Sequence, residues 1–227
     1  MKKLFSKPVP LALSAAICAA AIVLAGTYGA AQGKSASART AAAMAAKLGF
    51  GTRTAATLLL NGGFPDSWLE AAGGQMPPKA LEWPLPGRRL GRGFGSDDGH
   101  HEAIDVTAPA GTEIRCMAPG IVGYADDGVK GYGNLTLVLH SGGWVTLYAH
   151  QSKLDVRPGQ RVVTGEVIGL VGTTGISRGT HLHFALLVRG KPVDPMRYMH
   201  GAPNTSIRVS WNELLSPRAL LRALTRS

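Results

Sequence analysis

The stretch Trp144–His150, WVTLYAH, decides the fold class of this 227-residue chain. Apolar residues recur at every second position along it, which is the pattern of a β-strand with one buried face. The alternate residues Val145, Leu147 and Ala149 are predicted to pack inward. The residues between them are then expected to line the opposite, functional face of the strand: Trp144, Thr146, Tyr148 and His150.

Further short apolar stretches, separated by glycine-rich turns, predict more strands. They lie at residues 111–114, 120–125, 135–140, 161–163, 167–171 and 181–188. The glycine spacing in residues 156–169 is typical of a hairpin in a small barrel-sandwich hybrid. The sequence therefore predicts a mainly β fold, an antiparallel sheet of the barrel-sandwich kind, with short flanking helices.

Four histidines and one aspartate cluster in three stretches that read as strand. His181 and His183 are two residues apart, so their side chains are expected on one face, roughly 6.6 Å apart along the strand. His101 and Asp105 are four residues apart and are expected to share a face, with only the small Ala103 between them. Two histidines and one carboxylate suit Zn²⁺, and three protein ligands leave a position open for water. The pattern predicts a zinc hydrolase.

The segment from Trp83 to Met199 resembles the catalytic domain of the M23 zinc endopeptidases of bacterial cell walls, the lysostaphin and LytM type. The matching motifs, in family order and spacing, are Gly93-Phe94-Gly95, His101-xxx-Asp105, Gly131-Tyr132-Gly133-Asn134, Tyr148-Ala149-His150, Gly172-Thr173-Thr174-Gly175, His181-Leu182-His183-Phe184 and Pro192-Val193-Asp194-Pro195. Two positions depart from the family pattern: Ala103 replaces the usual glycine, and Ala185 a common glutamate.

The resemblance implies that His101, Asp105 and His183 bind zinc, and that His150 and His181 form a catalytic pair that does not bind the metal. In such a site the metal polarises the scissile carbonyl and lowers the pKa of a bound water. A neutral imidazole can take the proton of that water, and a protonated one can stabilise the oxyanion or protonate the leaving amine. Which histidine does which stays open, with His181 favoured near the water because it shares a strand face with His183.

Three residues are candidate substrate contacts. Gly131 and Gly133 predict a tight loop that places Tyr132 and Asn134 on the rim of a groove. Tyr148 belongs to the predicted functional face of its strand. All three are expected to contact peptide substrate.

The net charge of +10 is distributed unevenly along the chain. Residues 92–197 hold ten Lys and Arg against ten Asp and Glu, so the whole excess lies in the flanks. A neutral catalytic domain argues against nucleic acid as the substrate. The basic flanks suit anionic surfaces such as phospholipid headgroups or cell-wall polymers.

Residues 1–31 are predicted to be a signal peptide or a membrane anchor, because lysines precede a mostly apolar stretch. The apolar core at residues 9–25 is long for a signal peptide and barely spans a bilayer, so cleavage and retention in the inner membrane both stay open. The protein is expected in the periplasm or cell envelope. Cys116 is the only cysteine outside this segment, which leaves the folded part no disulfide.

The remaining segments divide by composition. Residues 32–40 are predicted to be a linker, 41–74 a small helical region, 75–89 a proline-rich connection, 90–200 the zinc endopeptidase domain and 201–227 a basic amphipathic tail. Helices are expected at 41–48, 54–60 and 65–72, as a wall-binding or partner-binding module or as a spacer packed on the enzyme. The tail is expected to touch a membrane or to pack on the body.

The predicted function is that of an exported zinc metalloendopeptidase that hydrolyses peptide cross-links of bacterial peptidoglycan through a zinc-activated water. A D,D-endopeptidase is favoured over a glycyl-glycine endopeptidase. The alternative is a catalytically inactive, LytM-like activator of another cell-wall hydrolase. Such proteins usually lack a site residue, whereas all five are present here. A lipoyl or biotinyl carrier domain has little support because residues 164–166 contain no lysine.

Overall fold

The computed structural model describes residues 37–73 and 81–200. The predicted export leader, the basic tail and residues 74–80 of the proline-rich connection lie outside these ranges. The chain divides into two compact units, residues 1–40 and 41–227, and the fold described below belongs to the second. Within the described ranges, no helix has the length and apolar character needed to cross a bilayer.

In the described ranges, three helices precede the sheet: α1 at residues 37–48, α2 at Arg53–Asn61 and α3 at Asp66–Ala71. The hydroxyl of Thr52 caps α2 by accepting a hydrogen bond from the Ala55 N–H at 3.0 Å. Gly62 ends α2 in the left-handed region with φ 72°, the usual helix C-terminus at glycine. These helices fall where the sequence predicts them, within a few residues at each end.

Ten strands form one open, antiparallel sheet, which confirms the predicted mainly β class. They are β1 (Leu90–Arg92), β2 (Ile104–Thr107), β3 (Glu113–Arg115), β4 (Gly120–Asp126), β5 (Asn134–His140), β6 (Trp144–Leu154), β7 (Arg161–Val162), β8 (Val167–Val171), β9 (His181–Val188) and β10 (Lys191–Val193). The main order is β1-β2-β9-β6-β5-β4-β7. Strand β10 pairs with β9, and β8 pairs with both β3 and β6.

The central strand β6 is covered on both faces. Val145, Leu147 and Ala149 are buried in a cluster with residues of α2 and α3, as expected for inward-facing residues. Thr146 and Tyr148 are also fully buried, and Tyr148 packs in a second cluster with Phe184. The predicted functional face made of Trp144, Thr146 and Tyr148 is therefore wrong, because that face carries the larger of two hydrophobic layers.

The face of the sheet that carries His183 is the face that the helices partly cover. On β9, His183 lies on the same face as Ala185 and Leu187, because every second residue of a strand points to one side. Both of these residues belong to the cluster under the helices. His183 pairs in register with Asp105 on β2 and with Ala149 on β6. One face of the sheet thus carries the helices at one end and the candidate site at the other.

A β-bulge in β6 brings His150 onto this face. Thr136 pairs with Tyr148, but Asn134, two residues earlier, pairs with Gln151, three residues later, so β6 contains one extra residue. His150 lies in this bulge with φ 59°, a left-handed conformation that is uncommon outside glycine. Bulges of this kind redirect side chains and are frequent beside functional sites.

Candidate metal centre

The structure brings His101, Asp105 and His183 together. Their ligand atoms all lie within 4.8 Å of one another, which makes them a candidate metal-binding group. The Oδ1 atom of Asp105 is 3.0 Å from Nδ1 of His183 and 3.3 Å from Nε2 of His101. Ligands of a tetrahedral zinc ion at 2.0–2.2 Å lie about 3.3–3.6 Å apart, so this spacing fits one ion.

His101 reaches the site from a loop and not from a strand. Strand β2 begins only at Ile104, so the expectation that His101 and Asp105 share a face of one regular strand is wrong. The loop is held by hydrogen bonds from Gly95 N–H to the His101 carbonyl and from His101 N–H to the Ser96 carbonyl, at 2.9 and 3.0 Å. The ring is turned into the site by this loop, and strand periodicity plays no part.

The orientation of His101 is that of a metal ligand. Its Nδ1 lies 3.0 Å from the carbonyl oxygen of Gly93, which can only accept, so Nδ1 carries the proton and Nε2 the lone pair. Nε2 is buried and has no hydrogen-bond partner, although Asp105 is near. Buried polar atoms rarely stay unpaired. An orphaned imidazole nitrogen facing a carboxylate and a second histidine fits a bound cation.

Asp105 supplies the negative charge of the site. Burial raises its pKa, but the hydrogen bond and charge of His183, together with the charges of His101 and His181, outweigh burial and hold the pKa below its usual value. Its second oxygen lies 3.7 Å from the guanidinium of Arg92. Asp105 is therefore available as a carboxylate, the form that binds metal.

His150 and His181 stand beside the ligand group with matching orientations. Nδ1 of His150 donates to the carbonyl of Thr174 at 2.8 Å, and Nδ1 of His181 donates to the carbonyl of Gly179 at 2.9 Å. In the neutral rings both Nε2 atoms are left as acceptors. The ring centroids are 5.0 Å apart, and Nε2 of His181 lies 3.6 Å from Oδ1 of Asp105. The structure thus brings all five predicted residues into one site.

Burial also affects the acidity of His150. It lowers the pKa of this imidazole, and the charges of His183 and His181 lower it further, while the hydrogen bond to Thr174 opposes the shift. A histidine with a lowered pKa is neutral at neutral pH and able to accept a proton.

A groove of about 810 Å³ opens over these histidines. Its lining also includes Arg92, Lys130, Ile176 and Arg178, which the sequence did not single out as site residues. Ile176 is 78% exposed, the highest value for a large apolar side chain in the described part of the chain. The neighbouring residues Gly131, Gly175 and Ser177 predict a loop around residue 130 and another around residue 176. No periodic pattern in the sequence predicts that these two loops meet at the groove.

The three predicted substrate contacts have different outcomes. Tyr132 lines the groove, with its ring centroid 6.0 Å from that of His183. Asn134 is half-buried, and its side-chain amide donates to the carbonyl of Gln151 at 2.9 Å. Tyr148 is fully buried, and its hydroxyl accepts a hydrogen bond from the Met117 N–H at 3.1 Å. The prediction that Tyr148 contacts substrate is wrong, because it faces the interior of the protein.

Ala103 also differs from its expected role. It was expected to lie between the ligands and to leave room for an ion. It is instead 2% exposed and belongs to the apolar cluster under the helices. It lines a second pocket next to the groove and not the groove itself.

Sequence comparisons show that the region of this site is similar to a known family. Residues 99–195 match the model of Peptidase family M23. The murein hydrolase activator NlpD of Escherichia coli is 37% identical over 123 residues, which cover 54% of this chain and 32% of that protein. The NlpD/LppB homologue of Pseudomonas aeruginosa, a lipoprotein, is 38% identical over 117 residues, covering 52% and 39%. The chain therefore spans well under half the length of these relatives.

Solved structures agree with this assignment. A putative M23 peptidase from Pseudomonas aeruginosa matches with a TM-score of 0.50 and 31% identity, covering 57% of this chain and 55% of that one. Lysostaphin from Staphylococcus simulans matches with a TM-score of 0.51 and 27% identity, covering 60% of each chain. The family resemblance inferred from the motifs is confirmed.

Proposed function

Because residues 99–195 match the model of Peptidase family M23, we propose that this protein is an exported zinc metalloendopeptidase that cuts peptide cross-links in bacterial peptidoglycan. The observation that carries the proposal is the buried, unpartnered Nε2 of His101, which faces Asp105 and His183. A structural zinc site has four protein ligands, whereas a catalytic site has three and leaves one coordination position open. Three protein ligands beside a groove therefore suit a catalytic site.

These three residues would hold the metal. Bound there, Zn²⁺ would supply polarisation of the scissile carbonyl and a water of lowered pKa. The carbonyl of Gly93 fixes the tautomer of His101 and so keeps its lone pair directed at the site. Arg92 contacts the second oxygen of Asp105 and helps to hold the carboxylate in its orientation.

His150 and His181 would move the protons of the reaction. Each ring is fixed by a backbone carbonyl and presents Nε2, so it can accept a proton and later return it to the leaving amine. The 3.6 Å distance from His181 Nε2 to Asp105 Oδ1 supports His181 as the histidine nearer the reacting centre. His150 would stabilise charge that develops on the substrate oxygen only once its ring carries a second proton, because the neutral ring presents Nε2 as an acceptor.

A second candidate is a murein hydrolase activator that acts on another enzyme. The names of the curated relatives favour it more directly than they favour a peptidase, since NlpD is described as an activator and the Caulobacter vibrioides relative DipM as a cell division protein. DipM is 38% identical over 120 residues, which cover 50% of this chain and 20% of that protein. The intact five-residue site favours the peptidase.

We further propose a location in the periplasm or cell envelope. The Haemophilus influenzae relative is named an outer membrane lipoprotein, and the Pseudomonas aeruginosa one a lipoprotein. Anchoring in the inner membrane has no such support and stays a prediction from residues 1–31. Peptidoglycan peptide stems are the proposed partners, with a D,D cross-link preferred to a glycine bridge.

Purified protein loaded with zinc should release new amino termini from purified peptidoglycan, and mass spectrometry of the products would identify the bond. His150→Ala and His181→Ala should each abolish release while zinc stays bound. An activator would behave differently: it would release nothing itself, yet wild type and His150→Ala would stimulate an added cell-wall hydrolase equally. That result would overturn the peptidase proposal.

A further inference from the structure

A second pocket, of about 470 Å³, lies next to the groove on the same face of the sheet. The two share His101, Tyr132 and His183, so a ligand that leaves the groove past Tyr132 enters this pocket directly. The volume is in the range of sites for small ligands or single side chains of larger ones. We call it the α2 pocket, after the helix that forms its wall.

The floor of the α2 pocket is apolar and made of small or aliphatic side chains. They come from four buried residues on β6, on β9 and in the loop before β2: Ala103, Leu147, Ala185 and Leu187. Because each of them is at most 6% exposed, the floor is part of the packed core and keeps its shape. Such a surface favours an aliphatic group.

Part of the wall comes from helix α2, which precedes the family-matched residues 99–195. Leu60 and Asn61, at the C-terminal end of α2, line the pocket together with Gly190 and Pro192. The wall is fixed by close backbone packing: a Cβ atom on Gly62 would lie 2.2 Å from the carbonyl of Arg189, and one on Gly190 would lie 2.2 Å from the carbonyl carbon of Asn61. The end of α2 is thus clamped to the turn between β9 and β10.

The two cavities differ in charge. Glu102 is the only Asp, Glu, Lys or Arg among the described residues that line the α2 pocket. Its carboxylate lies close enough to Tyr132 to raise the pKa of that phenol further, after the larger effect of burial. The groove instead has the exposed cations Lys130 and Arg178 on its rim. The groove thus carries charges of both signs, with Arg92 paired to Asp97, whereas the α2 pocket carries the single carboxylate of Glu102.

We propose that the α2 pocket binds the part of a substrate peptide on one side of the scissile bond, a residue with an aliphatic stem and a free ammonium group. The stem would lie on the apolar floor against Leu60 and Asn61, and the ammonium group would pair with Glu102. This inference rests on the proposed action on peptidoglycan peptides. It gives the N-terminal helices a role in substrate selection.

Blocking the pocket tests the wall. Asn61 is exposed, so Asn61→Trp fills the pocket without disturbing the core, and Thr57→Trp, exposed one turn earlier on α2 and outside the lining, is the matched control. Binding of a fluorescent cross-linked stem-peptide dimer is measured in the His150→Ala background, where no turnover is expected. Asn61→Trp should weaken binding on the order of tenfold, and Thr57→Trp should leave it unchanged.

Blocking the charge tests Glu102. The same dimer acetylated on its free amino groups should bind the His150→Ala protein about two- to fivefold more weakly, as expected for one exposed ion pair. In Glu102→Gln the two dimers should bind equally. An equal preference in both proteins would remove Glu102 from the proposal.

The outcomes separate this inference from the proposed function. Cleavage by the wild type, with Asn61→Trp and Thr57→Trp binding alike, would overturn the α2 pocket and leave the peptidase intact. Binding that depends on Asn61 and Glu102 without any cleavage by the wild type would support the pocket and overturn the peptidase. An absence of binding by all variants would overturn the pocket.

Discussion

The Nδ1 atom of His150 lies 2.8 Å from the carbonyl oxygen of Thr174, and this hydrogen bond joins the bulge in β6 to the loop that follows β8. The hydroxyl of Thr174 continues the link by donating to the carbonyl of Gln151 at 2.8 Å and accepting from the Asn134 N–H at 3.0 Å. One threonine therefore holds the end of β5, the bulge and a candidate catalytic ring in a single arrangement.

Gly133 is expected to be essential to this arrangement. Its φ is 63°, and a Cβ atom there would lie 2.4 Å from the carbonyl carbon and the hydroxyl of Thr174. Gly133→Ala should displace Thr174 and so reduce kcat while zinc stays bound. This loss of activity comes in addition to the roughly 1–2 kcal/mol of stability that an alanine in the left-handed conformation costs. Gly87→Ala, with φ 73° and nothing within 4 Å, carries only the backbone cost. Equal kcat in the two variants would contradict the role of Gly133.

The ligand residues and the catalytic pair should separate in metal analysis. Asp105→Asn and His183→Ala remove a ligand, so zinc affinity should fall by more than the 10–100-fold typical of losing an outer partner. His150→Ala should keep zinc, because its Nε2 is not among the three grouped ligand atoms. Zinc content after dialysis against a weak chelator distinguishes these cases. Loss of zinc from His150→Ala would show that its role is misassigned.

Tyr148 and Tyr132 should respond in opposite ways to loss of the hydroxyl. Tyr148→Phe leaves the buried Met117 N–H without its partner, so the free energy of unfolding should fall by about 1–3 kcal/mol with KM unchanged. Tyr132→Phe should leave stability unchanged and raise KM, because Tyr132 lines both cavities. Urea unfolding and steady-state kinetics check the pair. A raised KM in Tyr148→Phe would contradict its interior role.

His140 should make the metal-free fold sensitive to acid. Burial lowers its pKa from 6.5 to about 4. Two hydrogen bonds fix the ring: Nδ1 lies 2.8 Å from the Pro119 carbonyl oxygen, and Nε2 lies 2.8 Å from the Thr146 hydroxyl. Between these pH values the unfolded chain binds more protons than the folded one, so stability is complete above about pH 6.5 and falls toward pH 4. The shift corresponds to about 3 kcal/mol.

Urea unfolding of chelator-treated protein at pH 7 and pH 4.5 measures this loss. His140→Asn keeps a donor for the Pro119 carbonyl but does not titrate, so it should be less stable at pH 7 and lose less stability on acidification. The difference between the two proteins removes the contributions of the site histidines. An equal loss in both would show that another group causes the acid sensitivity.

Local patterns predicted much of this protein because its strands are short and separated by glycine turns. Strand β9 was predicted with its observed bounds, His181–Val188, and the five residues predicted for the site from motif and spacing lie close together. No strand was predicted at β1 or β10, which have three residues each.

The faces of β6 were assigned incorrectly for two physical reasons. Alternation identifies a half-buried strand, but β6 is buried on both sides, so Val145 and Tyr148 look alike in burial and only tertiary packing separates them. The bulge then shifts the phase by one residue at His150. His150 does lie beside the other predicted site residues. The prediction placed it there because residues 148 and 150 of a regular strand share a face, and the bulge makes that reason wrong. No sequence pattern predicts that α2 reaches the edge of the site.

The helices that share a sheet face with the metal centre also decide where this protein can be shortened. Leu59 and Trp68 belong to the same buried cluster as Leu137, Val145 and Leu187, so a fragment that begins at residue 90 would expose apolar side chains of the sheet. Such a fragment should self-associate in gel filtration, whereas one that starts at residue 37, where α1 begins, should run as a single species of its expected size. The smallest stable fragment is then expected to include the first helix, α1, which precedes the family-matched residues 99–195.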